Sequence, residues 1–365
     1  MKVLFITNVP SPYRVDFFNE LGKYCQLTVA FEKRTSNERD KSWLNYKFEN
    51  FAGVFLKGIS INTDTAICFG IKKVIKKGKF DKIICASFTS PTGMIAIRYM
   101  RRKKIPYYLE SDGGFAKDGK GFKEKLKKYF IQGAQGYFST AKEHDHYYIT
   151  YGAEKNRIYR YPFTSIKQEA ILKNAPTEER KAELRGKFGI KEKKVILAVG
   201  QFIHRKGFDL LIKAASNMSK GIAICFVGGV PTQEYIALKE ELHLSNIYFV
   251  GFKSKADLNE YYQMANVFVL PTREDVWGLV INEAMSNGLP VITTDKCIAG
   301  LELVKNDING YIVPVNNVNE LRKKILLSLE RADEFSLNSL KIIEKYTIEN
   351  MAKVHGDFLC LGERY

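Results

Sequence analysis

"VFVLPTREDVWGLVINEAMSNGLPVITT" occupies residues 267–294, and its reading decides the fold. The run "VFVLPT" is a short, continuously apolar strand that stops at Pro271. "WGLVINEAMSNG" then spaces its apolar residues as a helix. That helix begins near Gly278 and ends with Gly288 just past its last turn, with Pro290 following. "PVITT" is a second buried strand. Strand, helix, strand in this order is the repeating unit of a parallel sheet covered by crossover helices.

The same unit recurs along the 365 residues. Strand candidates in the first half are "KVLFIT", "QLTVAF", "KIICAS", "PYYLES" and "GYFST". In the second half they are "KVILAVG", "AICFVG", "IYFVG", "VFVLPT", "PVITT" and "GYIVP". Amphipathic segments such as "RVDFFNELGKY", "GFDLLIKAAS" and "KADLNEYYQMA" lie between them. The class is α/β, built twice. The boundary is expected in the polar stretch 159–194, giving domains 1–165 and 166–345. Ligands of such sheets bind beyond the carboxyl ends of strands, so a cleft between the two domains is the expected site.

Composition narrows the classes. No apolar run is long enough to span a bilayer, and "MKVLFITNV" reads as a first buried strand rather than a signal peptide. The six cysteines show no framework spacing, as expected of core thiols in a cytoplasmic protein. The formal net charge is +17. Residues 1–165 hold 30 Lys and Arg against 15 Asp and Glu, and the rest hold 27 against 25. A charge carried by one half points to an anionic partner. Three concentrations stand out: "IKKVIKKGKF", "RYMRRKKIPYY" and "GFKEKLKKYFIQG". The third interleaves Phe122, Leu126, Tyr129 and Phe130 with lysines, as an interfacial helix does. A core-facing stripe with a solvated lysine face has the same spacing. A nucleic-acid partner is not expected, because no recognised module accompanies the charge.

Two constellations carry the chemistry. In the first, a helix starting at the carboxyl end of a strand turns its positive dipole end to the ligand side, which suits phosphate. Gly278 permits close approach of a ligand to the backbone. Leu279 and Glu283 share one helical face, and a carboxylate there matches sugar hydroxyls, which are donors. The plain alternative is a set of solvated surface acids. In the second, "VGQFIHRKGFDLLIKA" runs from a strand into a turn holding Arg205 and Lys206. There, two cations can neutralise a diphosphate. Gly228, Gly229 and Gly251, the last followed by Phe252, add further glycine turns at strand ends.

The order of these motifs through "NEAMSNGLPVI" resembles the retaining glycosyltransferases of family 4, of the capsular and cell-surface polysaccharide type, which have the GT-B fold. The resemblance covers the second half and is thinner in the first. It implies two Rossmann-like domains facing a cleft, with the last helix, about 346–365, packing back on the N-terminal domain. It also implies a nucleoside-diphosphate sugar held by the second domain, with Trp277, Gly278, Leu279 and Val280 near the donor. The family's paired acids are separated by seven residues. Counting back from Glu283 gives Asp275, not Glu274, and the aromatic-glycine pair Trp277-Gly278 fixes that register. The family's diphosphate lysine corresponds to Lys206. Its usual arginine is replaced by Gln201, so Arg205 is the candidate for the second charge. The N-terminal domain lacks the family's histidine and reads "YYLESDGG", offering Glu110, Ser111 and Asp112. Its first loop offers Pro12, Tyr13 and Arg14 near donor phosphate or acceptor.

The expected partners are a sugar nucleotide, a glycan or lipid-linked acceptor, and an anionic membrane surface met by the basic half at the inner face of the cell membrane. No cofactor or metal is expected, since no Asp-x-Asp occurs and His144 and His146 point to different helix faces. "GFAKDGKG" misses the P-loop pattern because Gly121 stands where a hydroxyl is needed. A sugar-nucleotide 2-epimerase and a non-enzymatic anionic-surface binder are the alternative functions.

Overall fold

The computed structural model describes residues 1–34, 47–117, 119 and 121–361. Asp118 and Lys120 of the Gly114–Gly121 stretch lie outside the described residues. The chain forms two units, Met1–Ser165 with Thr347–Tyr365, and Ile166–Tyr346.

The described residues of the first unit form a seven-stranded parallel sheet. From one edge its strands are Phe51–Phe55, Gln26–Phe31, Lys2–Thr7, Lys82–Cys85, Tyr108–Glu110, Gly136–Ser139 and Ile158–Arg160. The six-stranded sheet of the second unit is also all parallel. Its order is Ile247–Val250, Ile222–Val227, Lys194–Val199, Val267–Leu270, Val291–Thr294 and Gly310–Val313. Both orders are doubly wound. The winding reverses between Lys2–Thr7 and Lys82–Cys85 in one unit, and between Lys194–Val199 and Val267–Leu270 in the other. At such a reversal the connections leave to opposite faces of the sheet and open a crevice at the strands' carboxyl ends.

The central strands are near-continuous apolar runs because helices cover both their faces. Val195 to Ala198 and Val267 to Leu270 are all fully buried. The terminal helix Ile348–Leu361 belongs to the first unit and packs on the helix Pro12–Leu21. Ile348, Met351, Ala352, His355, Phe358 and Leu359 repeat at helical spacing and are buried. The sequence reading missed the edge strand Phe51–Phe55, the three-residue strand Ile158–Arg160 and the small antiparallel pair of Ile59–Ser60 with Ala66–Ile67. The two- and three-residue strands are too short to show a period, and the apolar run Phe51–Phe55 is interrupted by Gly53, which weakens a strand signal.

Candidate active site

The crevice at the reversal in the second unit is built from the two stretches carrying Arg205–Lys206 and Asp275–Glu283. The strand Lys194–Val199 leads through Gly200 to a short turn, His204–Lys206, and then to the helix Phe208–Ala215. Gly207 joins them at φ +67°, and a Cβ there would lie 2.1 Å from the Pro271 carbonyl oxygen. Only glycine lets the two loops come this close. Side chains and backbone then latch them together. Thr272 Oγ1 and the Arg273 N–H both donate to the Arg205 carbonyl, at 2.9 and 2.8 Å. The Arg273 guanidinium grips Asp209 with two bonds of 2.8 and 2.7 Å, and also donates to the His204 carbonyl.

Lys206 and Arg205 meet Asp275 on this frame. Lys206 Nζ lies 2.5 Å from Asp275 Oδ2, and Arg205 lies 3.3 Å from Oδ1. The lysine and aspartate side chains are only 13% and 11% exposed, so solvent screens their pair weakly. Glu274, the neighbouring acid, is exposed, and it is its backbone carbonyl that accepts from Arg205, at 2.8 Å. The backbone of Asp275 is fixed from the far side, its N–H donating to the Lys296 carbonyl and its carbonyl accepting from Ile298.

The helix Leu279–Ser286 opens at Gly278, which has φ +103° and no side-chain cap. A Cβ at Gly278 would stand 2.9 Å from Cys297 Sγ, so this position tolerates no larger residue without rearrangement. Glu283 sits one turn along. The fully buried Tyr262 donates its hydroxyl to Glu283 Oε2 at 2.9 Å. Burial, reinforced by that carboxylate, raises the Tyr262 phenol well above its ordinary range, so it remains a donor. The ring of Trp277 is turned into the protein, its indole N–H donating to Asn282 at 2.8 Å. Leu279 and Val280 are half-buried on the first turn.

Gly228 and Gly229 follow the strand Ile222–Val227 at φ +132° and +133°. Gly251 has open space where a side chain would stand, and Phe252 is 66% exposed. Tyr262, Arg273 and Asp209 were not singled out from the sequence. Arg273 stood beside the strand end at Pro271, but its partner lies 64 positions away in sequence.

The first unit treats its charges differently. Pro12 opens the helix Pro12–Leu21, and Arg14 on its first turn is 5% exposed. Its guanidinium binds Glu110 on one arm and Asp112 on the other, the latter at 2.5 Å. Tyr13 also donates to Asp112, at 3.3 Å. His355 of the terminal helix reaches Glu110 Oε2 at 3.1 Å, with its ring stacked 4.4 Å from that of Phe138. Burial opposes ionisation of Glu110, but Arg14 and His355 outweigh it and hold the carboxyl at about 2. Ser111 contacts His144 Nε2 at 2.8 Å. His144 Nδ1 accepts from the Thr140 N–H, which leaves the hydrogen on Nε2, pointing at the serine. Burial pushes this imidazole down to about 3. The pair is therefore arranged to orient Ser111, not to take its proton.

The helix Phe122–Ile131 divides along its length. Phe130 and Ile131 are buried, while Phe122 is 79% exposed and Tyr129 41%. The described residues hold no group of three or more metal-ligating side chains. No described helix is long and apolar enough to cross a membrane.

Residues 180–348 match the family model for glycosyl transferases group 1. The chain is 24% identical over 274 residues to a Campylobacter jejuni N,N'-diacetylbacillosaminyl-diphospho-undecaprenol alpha-1,3-N-acetylgalactosaminyltransferase, covering 72% of this chain and 71% of the relative. It is 29% identical over 185 residues to an uncharacterized glycosyltransferase of Methanocaldococcus jannaschii, about half of each chain (48% and 47%). The structure of Anabaena HepE in complex with UDP superposes with a TM-score of 0.80 at 16% identity, covering 98% of this chain and 99% of that one. The strand-end crevice falls inside the segment, residues 180–348, that matches the group 1 glycosyl transferases, and the chain as a whole has the GT-B fold of two parallel-sheet α/β units.

Proposed function

We propose that the protein transfers a sugar from a nucleoside-diphosphate sugar to a cell-surface polysaccharide or lipid-linked glycan, with retention at the anomeric carbon and without a metal ion. The observation that carries this reading is the meeting of Lys206 and Arg205 with Asp275 beside the glycine-led start of the helix Leu279–Ser286. Two cations and a helix N-terminus supply the positive field that a departing diphosphate needs. Glu283, held by Tyr262, offers a fixed acceptor for ribose hydroxyls, and Asp275 one for hydroxyls of the transferred sugar. No side chain is assigned as nucleophile. In a same-face displacement the leaving phosphate itself takes the acceptor's proton.

A lipid-linked acceptor is supported by the diphospho-undecaprenol substrate in the Campylobacter relative's name. The excess of 15 positive charges in residues 1–165 (30 minus 15) supports work against an anionic membrane face, with Phe122 and the adjoining lysines as its contact. UDP is the first nucleotide to try, because the HepE structure carries it.

The test begins with a thermal-shift screen of UDP-, GDP- and ADP-sugars. The stabilising donor is then incubated with lipid-diphosphate-linked glycans, with and without EDTA, and the product linkage is read by NMR. Transfer with a retained anomeric configuration and indifference to EDTA is expected. Conversion of the sugar nucleotide without any acceptor, or no stabilisation by any of the three, overturns the reading.

A further inference from the structure

We infer that Asp275 is an internal counter-anion that competes with the diphosphate for Lys206 and Arg205, and so speeds release of the spent nucleoside diphosphate. The inference rests on the donor-site reading above. Both oxygens of Asp275 are engaged by these cations, Oδ2 by Lys206 at 2.5 Å and Oδ1 by Arg205 at 3.3 Å. One of the two positive charges assigned to the diphosphate is therefore already offset by the chain itself.

The loops cannot resolve the competition by moving apart. Arg205 is held through its carbonyl by Thr272 and Arg273, and its guanidinium is bonded to the Glu274 carbonyl. Asp275 is fixed through its own N–H and carbonyl to the Lys296–Ile298 segment. What remain free to change are the side-chain rotamers of Asp275 and of Lys206, whose ammonium is held by that carboxylate. An arriving diphosphate replaces one anion by another, so part of its Coulombic gain is spent on unpairing the lysine. With the intact donor, the displaced carboxylate turns to sugar hydroxyls and part of that cost is recovered. After transfer the sugar is gone, and the carboxylate returns to Lys206 as the diphosphate leaves.

Asp275→Asn keeps the shape and removes the competing charge. Calorimetric titration with inorganic pyrophosphate, which needs no knowledge of the base, and with UDP, GDP and ADP tests this in the full-length protein. The variant is expected to bind pyrophosphate and the preferred nucleoside diphosphate about tenfold more tightly than wild type, equivalent to about 1.4 kcal/mol. It should bind the intact sugar nucleotide no more tightly and lose transfer. Equal or weaker nucleoside-diphosphate binding in folded Asp275→Asn, and in Asp275→Ser as a second variant, overturns the inference. Lys206→Ala separates the two levels. If it weakens binding while neither Asp275 variant tightens it, the donor site stands and the counter-anion role falls. If Lys206→Ala leaves binding unchanged, both fall.

Discussion

The two units share a strand order and both place acids and cations at the carboxyl ends of their strands, yet they use these charges in opposite ways. In the first unit Arg14 is 5% exposed, fixed between Glu110 and Asp112, with His355 closing the network from the terminal helix. In the second, Arg205 is 46% exposed and meets Asp275 at the surface of the crevice, with Lys206 just beneath. A buried ion network fixes which elements sit together, because each charge is costly without its partner. At the helix start a half-exposed Arg205 and a nearly buried Lys206 share one carboxylate, which leaves a positive charge in excess for an arriving anion. One arrangement reads as architecture, the other as a binding site.

The sharpest way to break that contrast is to remove a cation from each unit. Arg14→Met leaves the fully buried Glu110 without its guanidinium partner and removes a cation from the part-exposed Asp112. Urea denaturation is expected to show a loss of roughly 3–5 kcal/mol. Lys206→Ala leaves Asp275 with Arg205 as its remaining cation, so it should cost less stability than Arg14→Met and lower turnover by about two to three orders of magnitude, measured with the donor found in the screen. A stable Arg14 variant, or a Lys206 variant whose main defect is unfolding, would erase the distinction.

A third measurement uses His144, which faces Ser111, Thr140, Tyr148 and, electrostatically, Glu110. Its folded value is held near 3 against the ordinary 6.5, so the unfolded chain takes up a proton first as the pH falls. Stability is thus highest above about 6.5 and declines as the pH drops toward about 3, by about 1.4 kcal/mol per pH unit from this group. Glu110 stays ionised in both states from pH 7 down to about 5, so it does not blur the slope until the pH nears its ordinary 4.5. The difference between wild type and His144→Gln, followed by urea midpoints from pH 7 to 5, isolates the slope. Equal slopes in the two proteins would show that His144 is not buried as a neutral ring.

The smallest effect is expected at Glu274→Gln. Its contribution is a carbonyl that glutamine also has, so turnover should stay within about twofold of wild type. A large loss there would move the site's acid from Asp275 to Glu274.

Much of this was legible in the primary structure. The apolar runs at Val195 and Val267, followed by glycine turns and helical spacing, define strand, turn and helix through local periodicity alone. The pairing of Asp275 with Glu283 follows from a count of residues against the Trp277-Gly278 landmark, since a helix turns spacing into shared direction. The fate of Arg14 was not legible. It stands beside a proline turn, like a phosphate ligand, and its two carboxylates lie 96 and 98 positions away. Nor was the service of Tyr262 to Glu283, made between two helices, or the clasp of Arg273 on Asp209, made between a strand-end loop and a helix 64 positions away. Periodicity and spacing along the chain determined where strands end and which residues stand there. Only tertiary structure decided which of those charges are buried in mutual satisfaction and which keep a positive excess at the crevice, because desolvation and pairing depend on neighbours that local sequence does not specify.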